Sequence, residues 1–416
     1  MSRVHPPRDP VALQLDGEDI VADRGEPVAI ALIAAGHLAL ARSPKFHRPR
    51  GPSCLRAACD GCLARVDDEP NVMTCRTPAA DAMRIETQNV VGSSETDLLR
   101  ATDWFFPEGM NHHELFVGIP GAQRVLQALA RRVAGLGRLP GEARAPRSAG
   151  RRAVDALVVG AGPAGMAVAL ELAKRGRKVE VMDDDLCWGG SLRALALAGA
   201  SPWEPLWKAF GESVAASRLA VRLRTTAAGI YGEDVLVAGE SGVEVLTART
   251  LVLAPGAHDG VLAFEGNDIP GVMSARAGGW IASRGVILGK RVVVVVADGG
   301  GPFADAYARA APDAVVLRGA PVRASGSRRI REVTVATPRG ERRFACDALL
   351  VDAPRAPAYE LCAQAGAKLA HEPHGYVVRA PGGKIRDGVF AVGDVVGTPL
   401  ALEAIMREAE AVSETA

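Results

Sequence analysis

ALVVGAGPAGMAVALELAKRGRKVEVMDDD, residues 156–185, contains a complete folding unit. An apolar run ends at Gly160, glycines recur at 162 and 165, a helix-period segment follows, and a second apolar run leads to the acid Asp183. This is the strand, G-x-G-x-x-G, helix, strand plan of a dinucleotide-binding unit. Gly160 permits the tight turn, Gly162 lets backbone approach a pyrophosphate, and Gly165 allows close helix packing. Pro163 and Ala164 open the helix, whose N-terminus offers N–H groups and the positive end of a dipole. Asp183 is placed to hold the hydroxyls of an adenosine ribose. An isolated glycine motif says little, but here strand, helix and acid are in register.

Reading outward, VDALVVG, RKVEVMD, LVLAPGA, RVVVVVAD and DALLVDA are short apolar runs, as expected for parallel strands buried on both faces. The larger part of the chain is therefore α/β. LVLAPGAHDG (251–260) ends a strand in a small-residue turn containing Ala254 and Gly256, with His258 and Asp259 where such sheets place ligands. GVFAVGDVVG (388–397) sets Gly393 and Asp394 after another strand, and a helical pattern follows. From Lys290, KRVVVVVADGGGPFADAYARA repeats strand, glycines (299–301) and helix, so a second nucleotide-binding unit is expected. It is irregular: its glycines come late, and the next strand ends in Arg318 where an NAD site has an acid. Two readings stay open, an NAD(P) site with Arg318 at a 2′-phosphate, or a degenerate unit kept for packing.

Upstream, CLRAACDGCLARVDDEPNVMTC (54–75) carries four of the seven cysteines. Cys54-x4-Cys59-x2-Cys62, followed by the more distant Cys75, is the plant-type spacing for a [2Fe-2S] cluster, in which one loop wraps both irons and aims backbone N–H groups at the sulfurs. Ala57, Ala58 and Gly61 are small enough for that approach, and Arg50 and Arg56 offset the negative charge of four thiolates. Tetrathiolate zinc needs the same ligand set but usually pairs two C-x2-C units. A redox dithiol at Cys59 and Cys62 needs a thioredoxin-like βαβ setting. The preceding pattern is instead a hairpin (11–22, turning at Asp16-Gly17) and an apolar helix from Val28, closed by Gly36. Cys187, Cys346 and Cys362 stand singly in apolar surroundings and read as structural.

The 416 residues contain 49 basic and 48 acidic side chains, so no global field directs the chain to nucleic acid. The start MSRVHPPRDP has no apolar core for a secretory signal, and VAIALIAAGHLALA (28–41) is too short and interrupted to span a bilayer. A cytoplasmic location is expected, where clustered thiols are ligands rather than disulfides. Residues 101–150 read as a connecting segment with an amphipathic helix near 124–137 and a Pro-, Gly- and Arg-rich linker. In it, His112 and His113 are adjacent and point apart, which argues against a metal site at 111–114. Trp188, Trp203 and Trp207 read as core. The expected division is 1–100 for the cluster domain, 101–150 for the connection, 151–270 with 380–416 for the first nucleotide domain, and 271–379 for the second, degenerate one.

Taken in order, KFHRPRG (45–51), the cysteine loop, DWFFPEGMNHHELF, VAGLGRLP, VVGAGPAGMA and GVFAVGDVVG resemble the α-type subunits of heteromeric bacterial amine dehydrogenases and oxidases. That group includes sarcosine oxidase, hydrogen cyanide synthase, and opine and hydroxyproline dehydrogenases. The resemblance implies a β-grasp, ferredoxin-like [2Fe-2S] domain fused to a two-dinucleotide-binding, Rossmann-like region of the pyridine nucleotide-disulfide oxidoreductase type. In this region Ala254, Gly256, Gly393 and Asp394 match later FAD-contacting segments, the aspartate meeting the ribityl and pyrophosphate part of FAD. It also implies FAD, NAD or ATP in the first site, and a separate FAD-containing β-type subunit that oxidises an amine or amino acid and passes electrons through the cluster. No general base stands out here, which places the substrate site in a partner chain. Two rivals are a self-contained NAD(P)H-dependent flavoprotein reductase and a scaffold whose nucleotide and metal are structural.

Overall fold

The computed structural model describes residues 1–43, 46–88, 90, 96–105, 118–125, 128, 148–195 and 201–416. The 111–114 motif and most of the 124–137 helix lie outside them.

β1 (Pro10–Leu15) and β2 (Glu18–Asp23) form the expected hairpin, β1 alternating exposed and buried residues. Its turn takes Asp16 and Gly17 at φ 50° and 88°, the twist that a two-residue hairpin turn requires. α1 (Val28–Ala34) follows Pro27 and buries six successive residues, Val28 to Ile33. Full burial of each larger aliphatic side chain contributes about 1.5–3 kcal/mol, so packing rather than helix propensity holds so short a helix. β3 (Leu63–Val66), β4 (Glu69–Met73) and β5 (Met83–Glu86) complete a mixed sheet in the order β2-β1-β5-β3-β4, with β1 and β5 parallel. Sheet and helix share one core, the β-grasp arrangement.

The dinucleotide plan is built from β6 (Gly150–Val159), α2 (Pro163–Lys174) and β7 (Val179–Met182). α3 (Glu204–Ala215), β8 (Leu219–Arg222), β9 (Thr226–Tyr231), β10 (Asp234–Gly239) and β11 (Gly242–Leu253) extend it. A second parallel sheet follows from β12 (Val272–Ser274), α4 (Ala275–Ser283), β13 (Val292–Val296), α5 (Pro302–Ala310), β14 (Val315–Arg318) and β15 (Ala348–Asp352), ordered β12-β15-β13-β14. The chain then returns to the first sheet through β16 (Val389–Ala391) and α6 (Leu402–Thr415). The parallel part of that sheet runs β8-β7-β6-β11-β16. Residues just beyond the carboxyl ends of its strands are Gly160, Asp183, Ala254 and Val392, and such ends are where open α/β sheets bind ligands.

The cluster domain is not a bead on a string. Leu13, Ile30 and Ile85 belong to the same continuous core as Met273, Trp280, Val294 and Phe303 of the second unit. Ser2 and Arg3 pair antiparallel with Ile287 and Val286, and Ser53 O accepts the Ser274 N–H at 2.9 Å. Trp203 is buried, and Trp188 and Trp207 pack on the core beneath α2.

Candidate functional site

The glycine loop meets its three requirements separately. Gly160 sits at φ 104°, and a Cβ there would lie 2.2 Å from Ala254 O. A Cβ on Gly165 would lie 1.8 Å from Gly160 O, so the helix rests directly on the turn. At Gly162 a Cβ would meet nothing within 4 Å, which leaves backbone facing open space at the start of α2, where the helix has N–H groups to spare. That space is a cavity of about 330 Å³ lined by Gly160, Gly162, Pro163, Ala164, Asp183, Ala254, Gly256, Gly393 and Asp394. Only Gly165 of the ten expected nucleotide residues stands behind the wall instead of in it.

Polar groups around this cavity are already oriented. Asp183 accepts the Ala161 N–H at 2.6 Å and the Asp185 N–H at 2.8 Å, so the acid also braces the glycine turn. Burial first, then Asp184 and Asp185, push its pKa up to about 6. Asp394 ion-pairs with Arg355, and the Gly393 N–H donates to Glu408 at 2.8 Å. Burial raises the Glu408 carboxyl. Gly393 holds φ 83° with its missing Cβ 2.8 Å from Ala164 Cβ, so the two nucleotide segments touch.

The cysteine loop forms the opposite wall. Cys54, Arg56, Ala57 and Ala58 line the same cavity. Cys54 and Cys59 bring their sulfurs to 3.4 Å, and Cys62 and Cys75 form a second hydrogen-bonded pair. The second pair follows from strand register: Cys62 precedes β3, Cys75 follows β4, and Leu63 lies opposite Met73. The N–H groups of Arg56 and Ala58 each reach Cys54 Sγ at 3.3 Å, Ala57 donates to Cys75, and Gly61 donates to Cys59. Leu55 and Ala57 take φ 52° and 59° to aim them, whereas Ala58 needs no left-handed backbone. A Cβ on Gly61 would lie 1.9 Å from Gly51 O. The hydrogen bond to Cys59 and then burial push the Cys54 thiol up, the bond to Cys62 does the same for Cys75, and the bond from Cys54 draws Cys59 down to about 5. Among the described residues no three His, Cys, Asp or Glu converge on a single-ion centre. Two sulfur pairs with inward N–H groups fit a two-iron cluster better than one tetrahedral zinc ion.

Several residues that join the two walls escaped the sequence reading. Arg76, next to Cys75, pairs with Asp184 at 2.9 Å and Asp185 at 2.8 Å, and Arg193 pairs with Asp185. Arg276 pairs with Asp259 at 2.8 Å. Arg50 is engaged by Asp268 at 2.7 Å, away from the cavity wall, while Arg56 donates to Ala257 O. Burial, then Arg276, draws the Arg56 pKa down to about 10. Burial, then Arg56, lowers His258. Trp280 lines the cavity with its Nε1 buried and without a hydrogen-bond partner, its ring 4.2 Å from the Arg193 guanidinium. An orphaned buried donor of this kind fits a ligand with acceptor atoms. Cys346 and Cys362 are buried, burial pushing both thiols up to about 12, and Cys187 lies beside Arg193.

The family described as "2Fe-2S iron-sulfur cluster binding domain" matches residues 8–90, and "Pyridine nucleotide-disulphide oxidoreductase" matches residues 154–317. A 2Fe-2S cluster and FAD are the cofactors of these two domains. The alpha subunit of sarcosine oxidase from Rhizobium meliloti (strain 1021) is 30% identical over 293 residues, covering 64% of this chain and 30% of that protein. The HcnB subunit of hydrogen cyanide synthase from Pseudomonas protegens is 32% identical over 130 residues, 29% of this chain and 28% of that one. The chain thus spans about 30% of the length of the curated relatives it matches. Among solved structures, L-proline dehydrogenase from P. horikoshii shares the fold at a TM-score of 0.74 and 22% identity, over 99% of this chain and 74% of that chain. No helix among the described residues is long and apolar enough to cross a membrane. With a 2Fe-2S cluster-binding domain fused to a pyridine nucleotide-disulphide oxidoreductase domain in one polypeptide, the chain is a homologue of the alpha subunit of sarcosine oxidase and of HcnB over the part of their length that it matches.

Proposed function

We propose that this chain is the electron-transferring component of a heteromeric FAD-dependent amine or amino-acid dehydrogenase, in which a partner's FAD subunit oxidises the C–N bond. The observation that carries this reading is the shared cavity: the loop of Cys54 and Arg56 to Ala58 faces Gly160, Gly162 and Asp394 across one space. When bound, the flavin exchanges electrons in pairs and the [2Fe-2S] cluster passes them singly.

The chain's own groups hold and orient. Cys54, Cys59, Cys62 and Cys75 take the irons, and the N–H groups of Arg56, Ala57, Ala58 and Gly61 offset charge on the sulfurs. Gly160, Gly162, Pro163, Ala164 and Gly165 seat the dinucleotide's phosphates on α2, Asp183 meets the ribose, and Ala254, Gly256, Gly393 and Asp394 line the remainder of its course. On this reading residues 1–100 are the cluster domain, 151–270 with 380–416 the FAD domain, and 101–150 and 271–379 the connecting and second units. The free cysteines, together with the ligand role of four of them, favour the cytoplasm.

Native purification tests the reading. The chain is expected to co-purify with a flavin-containing partner, and an amine or amino acid added anaerobically should bleach the cluster's visible absorption in the complex but not in the isolated chain. An isolated chain that oxidises an amine by itself would refute the division of labour.

A further inference from the structure

The second strand–glycine–helix unit carries an acid where a dinucleotide would place its phosphates. Asp352 ends β15, directly opposite Val296 at the end of β13, and is 4% exposed. Its Oδ2 accepts the N–H of Phe303 at 3.0 Å and of Ala304 at 2.7 Å. These belong to the first turn of α5, the donors that a bound phosphate would use. The loop between strand and helix closes over the same residue, since a Cβ on Gly300 would lie 2.1 Å from Asp352 O. In the first unit the corresponding place, opposite Val159, is held by Leu253, and no carboxylate from that strand reaches the helix.

We infer that Asp352 is an internal stand-in for a phosphate, which closes the second unit to NADH and NADPH and leaves the chain with one dinucleotide site. Two anions cannot share one set of N–H groups, and the carboxylate is covalently held in place. The same segment then turns toward the first site, because Arg355 pairs with Asp394 and stacks 5.6 Å from Phe303 on α5. Residues 352–355 thus spend an acid on closing the second site and a base on bracing the first. The inference stands on these contacts alone and survives if the amine reading fails.

The test uses the full chain with its own nucleotide in the first site, titrated calorimetrically. NADH and NADPH should show no saturable binding to the unaltered protein. Asp352→Ser, which frees the N–H groups, should bind inorganic pyrophosphate about tenfold or more tightly than the parent does. Saturable binding of NADH or NADPH to the unaltered chain with its first site filled overturns the inference. So does a folded D352S that binds pyrophosphate no better than the parent. Should D352S fail to fold, the titration of the unaltered chain decides by itself.

Discussion

Both glycine-rich turns of this chain end a buried parallel strand and open a helix, yet their N–H groups face different things. At α2 the backbone of Gly162 looks into a cavity, with Asp183 and Asp394 around it. At α5 the equivalent donors are taken by Asp352, 49 residues further along the chain than Phe303. The strand–glycine–helix pattern fixes the turn and the direction of the N–H groups. What occupies them is decided by a distant residue that only the sheet order, β15 beside β13, brings near.

The cysteine loop is a third place where backbone N–H groups converge on negative atoms, and the widest break would come there. Cys62→Ala removes one sulfur of the β3–β4 pair, so iron and visible absorption should both be lost, as read by metal analysis and spectroscopy. Retention of iron at the level of the unaltered chain would remove Cys62 from the ligand set.

The two glycine turns can next be set against each other. Gly165→Val and Gly300→Val each drive a side chain into backbone, at a Cβ separation of 1.8 Å and 2.1 Å. Each should cost about 3 kcal/mol in urea unfolding. Gly165→Val should also strip the bound nucleotide, whereas Gly300→Val should leave it in place, measured as nucleotide released per chain on denaturation. Equal loss from both would erase the distinction.

A smaller effect should appear as a pH dependence confined to the first site. Asp183 has a folded-state pKa of about 6, above the unfolded carboxylate value of about 3.9. Its contribution to stability is therefore fully present below the unfolded value and is lost as pH rises through about 6. Nucleotide-free protein should lose on the order of 2–3 kcal/mol across that window, and Asp183→Asn should flatten the loss. Thermal melts at either end of the window check the sign. The smallest effect is expected at Arg318, which is exposed at the end of β14. Arg318→Ala should change stability by less than about 0.5 kcal/mol and leave indifference to NADPH untouched.

Much of this was legible in the residues themselves. The 54–75 spacing and the glycine loop each lie within one short stretch, so local backbone geometry carries their meaning. The strand runs fixed the α/β class because parallel strands buried on both faces leave continuous apolar segments. Arg76, Arg276, Arg355, Glu408 and Asp352 were not legible, since each acts on a partner from another element and carries no spacing signal of its own. Arg76 offered one faint hint, a base directly after a cysteine in the loop. Arg50 and Arg56 looked alike in sequence; one is engaged by Asp268, and the other turns to the cavity wall. The second unit was the least legible, because its late glycines describe the turn without naming the carboxylate that fills it.

The core that runs unbroken from Leu13 to Phe303, stitched by Ser2 and Arg3 to the strand at Val286–Ile287, has a kinetic consequence. A carrier domain on a flexible tether must swing between donor and acceptor, and its traffic slows in thick solvent. Here the cysteine loop shares an unbroken core with the second unit and is tied by Arg76 to Asp184 and Asp185 beside the glycine loop, so on the proposed reading electron transfer within this chain needs no swing and should be indifferent to added glycerol.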